Sequence, residues 1–346
     1  MLARPHTLGG KALLAGVIAS ALLVAACGSG PTTGNGGHAS GTPGALTACT
    51  ATTADLKIGA GGTATAPKAS GVSGKLAIDG STALAPLFQA AGQEFDAANG
   101  TQTTTTPNGS GTGLKDVASG AVQIGLSDVF AASKEPAPGA YSGLVDHQVA
   151  GVAFTLITNP DLKGKVNNLT SDEVKQIWAG AVTNWSQLGG PNEQITVIQR
   201  PASSGTRATF KQYVLGGASD TQGTPLTQDT SGAVASAIAQ TPGSIGYIAT
   251  GYVIAQANGQ VAPICLDGYA ASLTNISGGK YAFWNIEHAY TKGPATGNAK
   301  ALLQYVLSPA IQQNDLPRLG FLPLGSLASA SASHTPNGAP APETFS

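Results

Sequence analysis

Strand-like runs alternate with helix-like runs from residue 75 to residue 313, and this alternation limits the fold more than any other property of the chain. KLAIDG (75–80), TQTTTT (101–106), VQIGLSD (122–128), VAGVAFTLIT (149–158), QITVIQR (194–200) and SIGYIA (244–249) read as strands, rich in β-branched or continuous apolar residues. Between them, Leu84, Leu87, Phe88, Ala91 and Phe95 recur at the spacing of one helix face. LKDVASG (114–120) reads as a short helix. LTSDEVKQIW (169–178) opens with a capping box from Thr170 to Glu173 and puts Val174, Ile177 and Trp178 on one side. Further helices are expected near 204–215, 231–240 and 299–313. Alternating strands and helices predict an α/β protein with mostly parallel sheets, and the length suits two such units. In open α/β sheets a ligand binds at the carboxyl ends of the strands.

Three similar phrases sit at those ends: GSTALAPLF (80–88), NGSGTGLKD (108–116) and QRPASSGTRATFK (199–211). Each leads from a strand-like run into a helix. A helix N-terminus offers unpaired N–H groups and the positive end of the dipole. Glycine lets a ligand approach that backbone, and Ser and Thr hydroxyls add donors. One such phrase is ordinary helix capping. Three in one chain, with Arg200 four residues before Ser204, point to an anion site. The planar fork of Arg200 suits a tetrahedral oxyanion.

Other chemistries lack their residues. GSGTGL has no third glycine for a dinucleotide fingerprint, and neither GxxxxGK[ST] nor GxSxG occurs. The five histidines, at 6, 38, 147, 288 and 334, are scattered, so neither a metal phosphatase nor a Ser-His-Asp hydrolase is indicated. An enzyme is therefore not expected, nor a cofactor or metal. The 346 residues carry a net charge of −1, which gives no basic face for nucleic acid.

The ends of the chain read differently from its middle. Arg4 and Lys11 precede an apolar run, 12–26, too short to span a membrane comfortably, and Cys27 follows Val24-Ala25-Ala26. Residues 1–26 are thus expected to be a lipoprotein signal peptide, with Cys27 as the lipidated residue that anchors the protein to the outer face of the cytoplasmic membrane. Residues 27–73 are expected to form a flexible tether and N-terminal segment, most tether-like over 28–45. A disordered tail is expected over 326–346. Cys49 and Cys265 then remain in an exported, disulfide-permissive compartment, either bridged or as two buried thiols.

The phrases GSTALAP, NGSGTGLKD with Asp128 in GLSD, TSDEVKQIWAGAVTNWSQLGG, RPASSGTRATF and YAFWNIEHAYT (281–291) together resemble the PstS family, the phosphate-binding proteins of the phosphate-specific ABC transporter. The resemblance covers about 74–324. It implies a two-lobed periplasmic-binding-protein fold of type II with the ligand in the cleft. It places lobe one at 74–150 plus 262–325, lobe two at 151–261, and the crossings near 150–153 and 250–262. It implies that Ser81, Thr82 and the backbone of Ala83 bind the anion from the first helix, Ser110 from the second, and Ser204, Gly205 and Thr206 from the fourth element. Arg200 would be the cation and Asp128 the acceptor carboxylate. The implied partners are inorganic phosphate and the permease and ATPase subunits of an importer, for a monomeric receptor. A receptor for another oxyanion, a phosphate sensor and an exported phosphoesterase are the alternatives. In one place the chain departs from the family: Ala202 stands where an acidic residue often helps hold the arginine. What holds Arg200 is thus left open.

Overall fold

The computed structural model describes residues 46, 48–220, 226–257 and 259–345. The expected signal peptide, Cys27 and the tether over 28–45 lie outside these residues. Among the described residues no helix is long and apolar enough to cross a membrane.

In chain order the elements are β1 (Lys75–Gly80), α1 (Ala85–Asn99), β2 (Gln102–Pro107), α2 (Ser110–Ser119), β3 (Ile124–Ser127), β4 (Leu144–Thr158), β5 (Asn168–Leu169), α3 (Ser171–Trp178), β6 (Thr196–Gln199) and α4 (Gly205–Tyr213). They continue with β7 (Leu226–Thr227), α5 (Ser231–Gln240), β8 (Ser244–Ala249), α6 (Thr250–Ala255), β9 (Ala262–Leu266), α7 (Leu273–Ser277), β10 (Trp284–Lys292), α8 (Gly297–Val306), α9 (Leu316–Leu319) and β11 (Phe321–Leu322). The main strand order is β2-β1-β3-β10-β4-β8-β6-β7.

The protein is α/β with two lobes, and β4 belongs to both. Its first part, Leu144 to Ala153, pairs with β10, and its last part, Phe154 to Thr158, pairs with β8 and β9. The expectation of mostly parallel sheets holds at the flanks, where β1 pairs in parallel with β2 and β3, and β6 with β7 and β8. It fails in the middle. There β10 runs antiparallel to β3 and β4, and β4 antiparallel to β8 and β9. A strand that carries the chain from one lobe to the other has no crossover helix of its own, so it need not run parallel to its neighbours. The apolar run of β4 is buried on both faces either way.

Strand pairing also bears on where the chain returns. β9 pairs with the last residues of β4 and with β5. Tyr281 donates its hydroxyl to the Phe154 carbonyl at 2.7 Å. We therefore place the return to the first lobe at the start of β10 rather than at 262. An aromatic group joins α3, α4 and β8 in the second lobe: the rings of Trp178 and Phe210 lie 4.8 Å apart, and those of Phe210 and Tyr247 lie 4.2 Å apart. In the first lobe the face of α1 read from sequence, Leu84, Leu87, Phe88, Ala91 and Phe95, is buried throughout.

Two segments near the chain ends, 48–73 and 326–345, are more ordered than their composition suggests. Cys49 is disulfide-bonded to Cys265 of β9, 216 residues away, with Cα atoms 6.1 Å apart. A bridge across so long a loop contributes about 2–4 kcal/mol. It ties the N-terminal segment to the β5–β9 pair, where the Asn167 N–H also donates to the Leu46 carbonyl at 2.8 Å. The same segment reaches the first lobe, where the Ala64 N–H donates to Asp315 Oδ2 at 2.7 Å. The segment read as a disordered tail packs as well, over 326–345. Leu327 lies in the core, His334 stacks on Tyr213 and lies tilted against Trp284, and Phe345 stacks on His147. Burial pushes His334 down to about 4, so it packs as a neutral ring. Three apolar or aromatic anchors spaced along a small-residue chain are enough to seat it, a pattern that overall composition hides.

Candidate functional site: a buried anion cradle

The three phrases meet where the two lobes touch. β1 ends at Gly80, and Ser81 and Thr82 follow at the mouth of α1. Ser81 Oγ accepts from the Ala83 and Leu84 N–H groups at 3.1 and 3.0 Å, turning the chain into the helix. β2 leads to Gly109, the N-cap of α2, and Ser110 opens that helix. Gly113 lets α2 lie on β1: a Cβ there would sit 2.6 Å from the Asp79 carbonyl oxygen. β6 ends before Arg200, and Ser204 caps α4 by accepting from the Arg207 N–H at 3.2 Å.

Asp128, just past the end of β3, is the centre of the cluster. Ser81 donates its hydroxyl to Oδ1. Thr206 donates to Oδ2 at 2.8 Å from the opposite lobe. The Asp128 N–H donates to Ser110 Oγ at 3.0 Å. Asn285 of β10 donates its amide to the Asp128 carbonyl at 2.8 Å. Asp128 is 2% exposed. Gly205 packs directly on this group. A Cβ there would lie 2.3 Å from Ser110 Oγ and 2.8 Å from the Asp128 Cβ, so only glycine allows the approach.

Arg200 is 1% exposed, and one of its nitrogens is anchored. Nη2 donates to Thr82 Oγ1 at 3.0 Å and to the Asp229 carbonyl at 2.9 Å. Nε and Nη1 are buried without a hydrogen-bond partner among the described residues. Burial pulls the guanidinium down from its ordinary value, opposed by Tyr247, Asp128 and Asp229. Arginine remains charged in proteins all the same. A buried cation with two unsatisfied donors is a site prepared for an anion. The Asp229 carbonyl and Thr82 thus hold Arg200, which answers the question that Ala202 left open.

All nine residues expected to bind the anion fall in this region. Ser81, Thr82, Ser110, Asp128, Arg200, Gly205 and Thr206 contact one another directly, as described. Ala83 spends its N–H on Ser81, and the Ser204 hydroxyl caps α4. The sequence reading missed several others. Lys134 donates across the cleft to the Ala202 and Ser204 carbonyls at 2.8 and 3.0 Å. It follows Asp128 by six residues in a stretch with no motif. Asn285 and Glu287 come from YAFWNIEHAYT, whose pattern was recognised without either residue being given a role. Together with the Gly111 N–H to the Ser203 carbonyl at 3.0 Å, these bonds hold the cleft closed. His147 and His288 are both buried in the first lobe. His288 faces Asp146 at 2.8 Å and His147 faces Thr291 at 2.9 Å. No group of His, Cys, Asp and Glu among the described residues could hold a metal ion.

Two α/β lobes closed over a buried oxyanion cradle define a solute-binding protein of the periplasmic type. Comparison with known proteins narrows the class. Residues 62–310 match the family model of the PBP superfamily domain. The phosphate-binding protein PstS of Bacillus subtilis is 44% identical over 253 residues, which cover 73% of this chain and 81% of that protein. A crystal structure of a candidate phosphate ABC transporter substrate-binding protein with bound phosphate, from Clostridium perfringens, superposes with a TM-score of 0.65 at 26% identity, covering 72% of this chain and 99% of that one. An ABC-type phosphate transport receptor from Vibrio cholerae has the same fold, with a TM-score of 0.57 at 21% identity over 71% of this chain and 99% of that one. The chain belongs to the PBP superfamily and, within it, to the PstS family of phosphate-binding proteins.

Proposed function

We propose that this protein is an extracytoplasmic receptor that binds inorganic phosphate in the closed cleft and delivers it to an ABC importer. The observation that carries the reading is a carboxylate, Asp128, set in an anion cradle whose cation, Arg200, keeps two donors free. A carboxylate beside an anion repels it unless the ligand brings a proton to donate. Hydrogen phosphate does so at neutral pH and sulfate does not. Asp128 then acts as a selective acceptor and Arg200 as the charge partner. Thr82 and Ser110 supply hydroxyl donors, and Ser81, Ala83, Ser204, Gly205 and Thr206 shape the helix mouths whose dipoles favour the anion. Charge-assisted bonds of about 1.5–3 kcal/mol each make micromolar binding attainable with a handful of them.

The family is one of substrate receptors rather than enzymes, and we extend that to this chain: it turns nothing over. It works as a monomer that meets the permease of the importer with its lobes closed. Cys27 is the lipid anchor, on the strength of the lipobox-like ending and the tether after it. Replacement of Cys27 with Ala is expected to release the protein from membranes, and a variant that stays bound in high salt would refute the anchor. Titration calorimetry with phosphate, sulfate and molybdate, beside a phosphatase assay, tests the whole reading. Phosphate alone should bind well, with no hydrolysis. Stronger binding of another oxyanion, or turnover of a phosphate ester, would replace the proposal.

A further inference from the structure

Glu287 is fully buried in the middle of β10, and neither of its oxygens meets an N–H or O–H donor among the described residues. Few places treat a carboxylate so poorly, because a buried charge without donors is costly by several kcal/mol. The group it does face is Asp128: β10 runs antiparallel to β3 with His288 opposite Ser127, so the next step of the register sets Glu287 opposite Asp128, whose charge acts on it. Two ionised carboxylates cannot hydrogen-bond. With a single proton between them they can.

The surroundings decide which residue carries that proton. Asp128 accepts hydroxyl bonds on both oxygens, from Ser81 and Thr206, and the charges of Arg200 and Lys134 act on it. Glu287 has none of these. On β4, Asp146 and His147 are engaged with His288 and with Thr291. His288, the next residue on β10, points to the other face of the strand and pairs with Asp146. Arg207 on α4 is committed to Asp220 at 2.5 Å. Among the described residues the cations Arg200 and Lys134 act on Asp128, and Asp128 itself is the charge that acts on Glu287. Burial and the neighbouring Asp128 both push its carboxyl well above the usual range.

We propose that Glu287 is a neutral carboxylic acid beneath the anion cradle, a positioning residue that donates its proton to Asp128 and holds that carboxylate as the acceptor for the ligand. A carboxylate has about four lone-pair sites. Ser81, Thr206 and Glu287 take three, which leaves one for the proton of the ligand. The second acid thus fixes Asp128 without adding a second negative charge to a pocket that must take an anion. It also sets an alkaline limit: once Glu287 ionises, two adjacent carboxylates repel the ligand.

The inference rests on the phosphate reading, but its first test does not. Infrared spectra of the purified full chain at neutral pH should contain the C=O stretch of a protonated carboxyl group. Carboxyl-¹³C glutamate labelling should shift that band, and Glu287→Gln should remove it. If no such glutamate band exists, the proposal is overturned, whether or not phosphate binds. The second test is calorimetry with inorganic phosphate from neutral to alkaline pH. Glu287→Gln keeps a neutral donor, so its affinity at neutral pH should lie within about threefold of the wild type. As pH rises the wild type should lose affinity relative to the variant, since only the wild type gains a charge there, and ionisation of phosphate itself is common to both. A constant ratio across pH, or a folded variant more than about tenfold weaker at neutral pH, would refute the assignment. Should the variant fail to fold, the labelled wild-type band alone decides.

Discussion

The rim and the floor of the anion cradle are built by different means. The rim consists of three helix mouths, at Ser81–Thr82, Ser110 and Ser204–Thr206, with Arg200 beside them. Each uses local chain to present N–H and hydroxyl donors, and each would favour any tetrahedral oxyanion. The floor consists of Asp128 from the end of β3 and Glu287 and Asn285 from β10, brought together by antiparallel pairing across 157 to 159 positions of sequence. It offers one acceptor, the Asp128 carboxylate held by its two neighbours, and an anion without a proton cannot use it. On the proposed reading the contrast makes affinity and selectivity separable: donors at the rim would set how tightly an oxyanion is held, and the acceptor at the floor would set which one.

Changes at the rim should therefore weaken phosphate and sulfate alike. Arg200→Ala has the largest expected effect. It removes about two charge-assisted bonds, roughly 3–6 kcal/mol, and should weaken phosphate binding by at least ~100-fold. A loss under tenfold would mean that helix dipoles alone carry the anion. Gly205→Ala comes next, because its methyl group would overlap Ser110 Oγ and the Asp128 side chain at the line where rim meets floor. Overpacking of this kind is worth about 1–3 kcal/mol, so affinity should fall about tenfold or more and small-angle scattering should report a more open protein with phosphate present. Unchanged closure would show that the contact is not needed. Lys134→Ala should have the smallest effect of the three, about threefold to tenfold, since two bonds to carbonyls across the cleft are lost while the cradle itself stays complete. If Lys134→Ala changes the ratio of phosphate to sulfate affinity, it belongs to the floor and the division drawn here is misplaced.

The same contrast explains what could be read from the chain alone. The rim was legible because each part is a short strand–turn–helix phrase with its chemistry in adjacent residues. Asp128 was legible only through resemblance, since an aspartate after a strand is otherwise an ordinary turn residue. Glu287 and Asn285 were not legible as site residues: in NIEHAYT they look like polar breaks in an apolar stretch, and only the pairing of β10 with β3 brings them beneath Asp128. Lys134 escaped for the same reason, being placed by a loop that folds back over α4. In the fold, the helical and strand periods located β1 to β4, β6 and β8 and the helices α1 to α5 and α8, but not β9, β10 or α6. The direction of β4 was missed because a run buried on both faces looks alike in parallel and antiparallel sheets, and β10 was not read as a strand at all. The packed tail was missed because His334 and Phe345 are isolated anchors in a stretch of Ser, Ala and Pro.

The division between rim and floor is tested most directly by one substitution at Asp128. Asp128→Asn keeps the shape of the side chain, removes its charge and offers a donor where there was an acceptor. Calorimetry with phosphate and with sulfate, on wild type and variant at fixed pH and salt, gives the ratio of the two affinities. The wild type should prefer phosphate strongly. In the variant phosphate should weaken moderately, because its proton loses a partner while its charge loses a neighbour of like sign. Sulfate should gain, and the preference should fall by about tenfold or more. A preference that stays the same in Asp128→Asn would contradict the account and make Asp128 a structural aspartate.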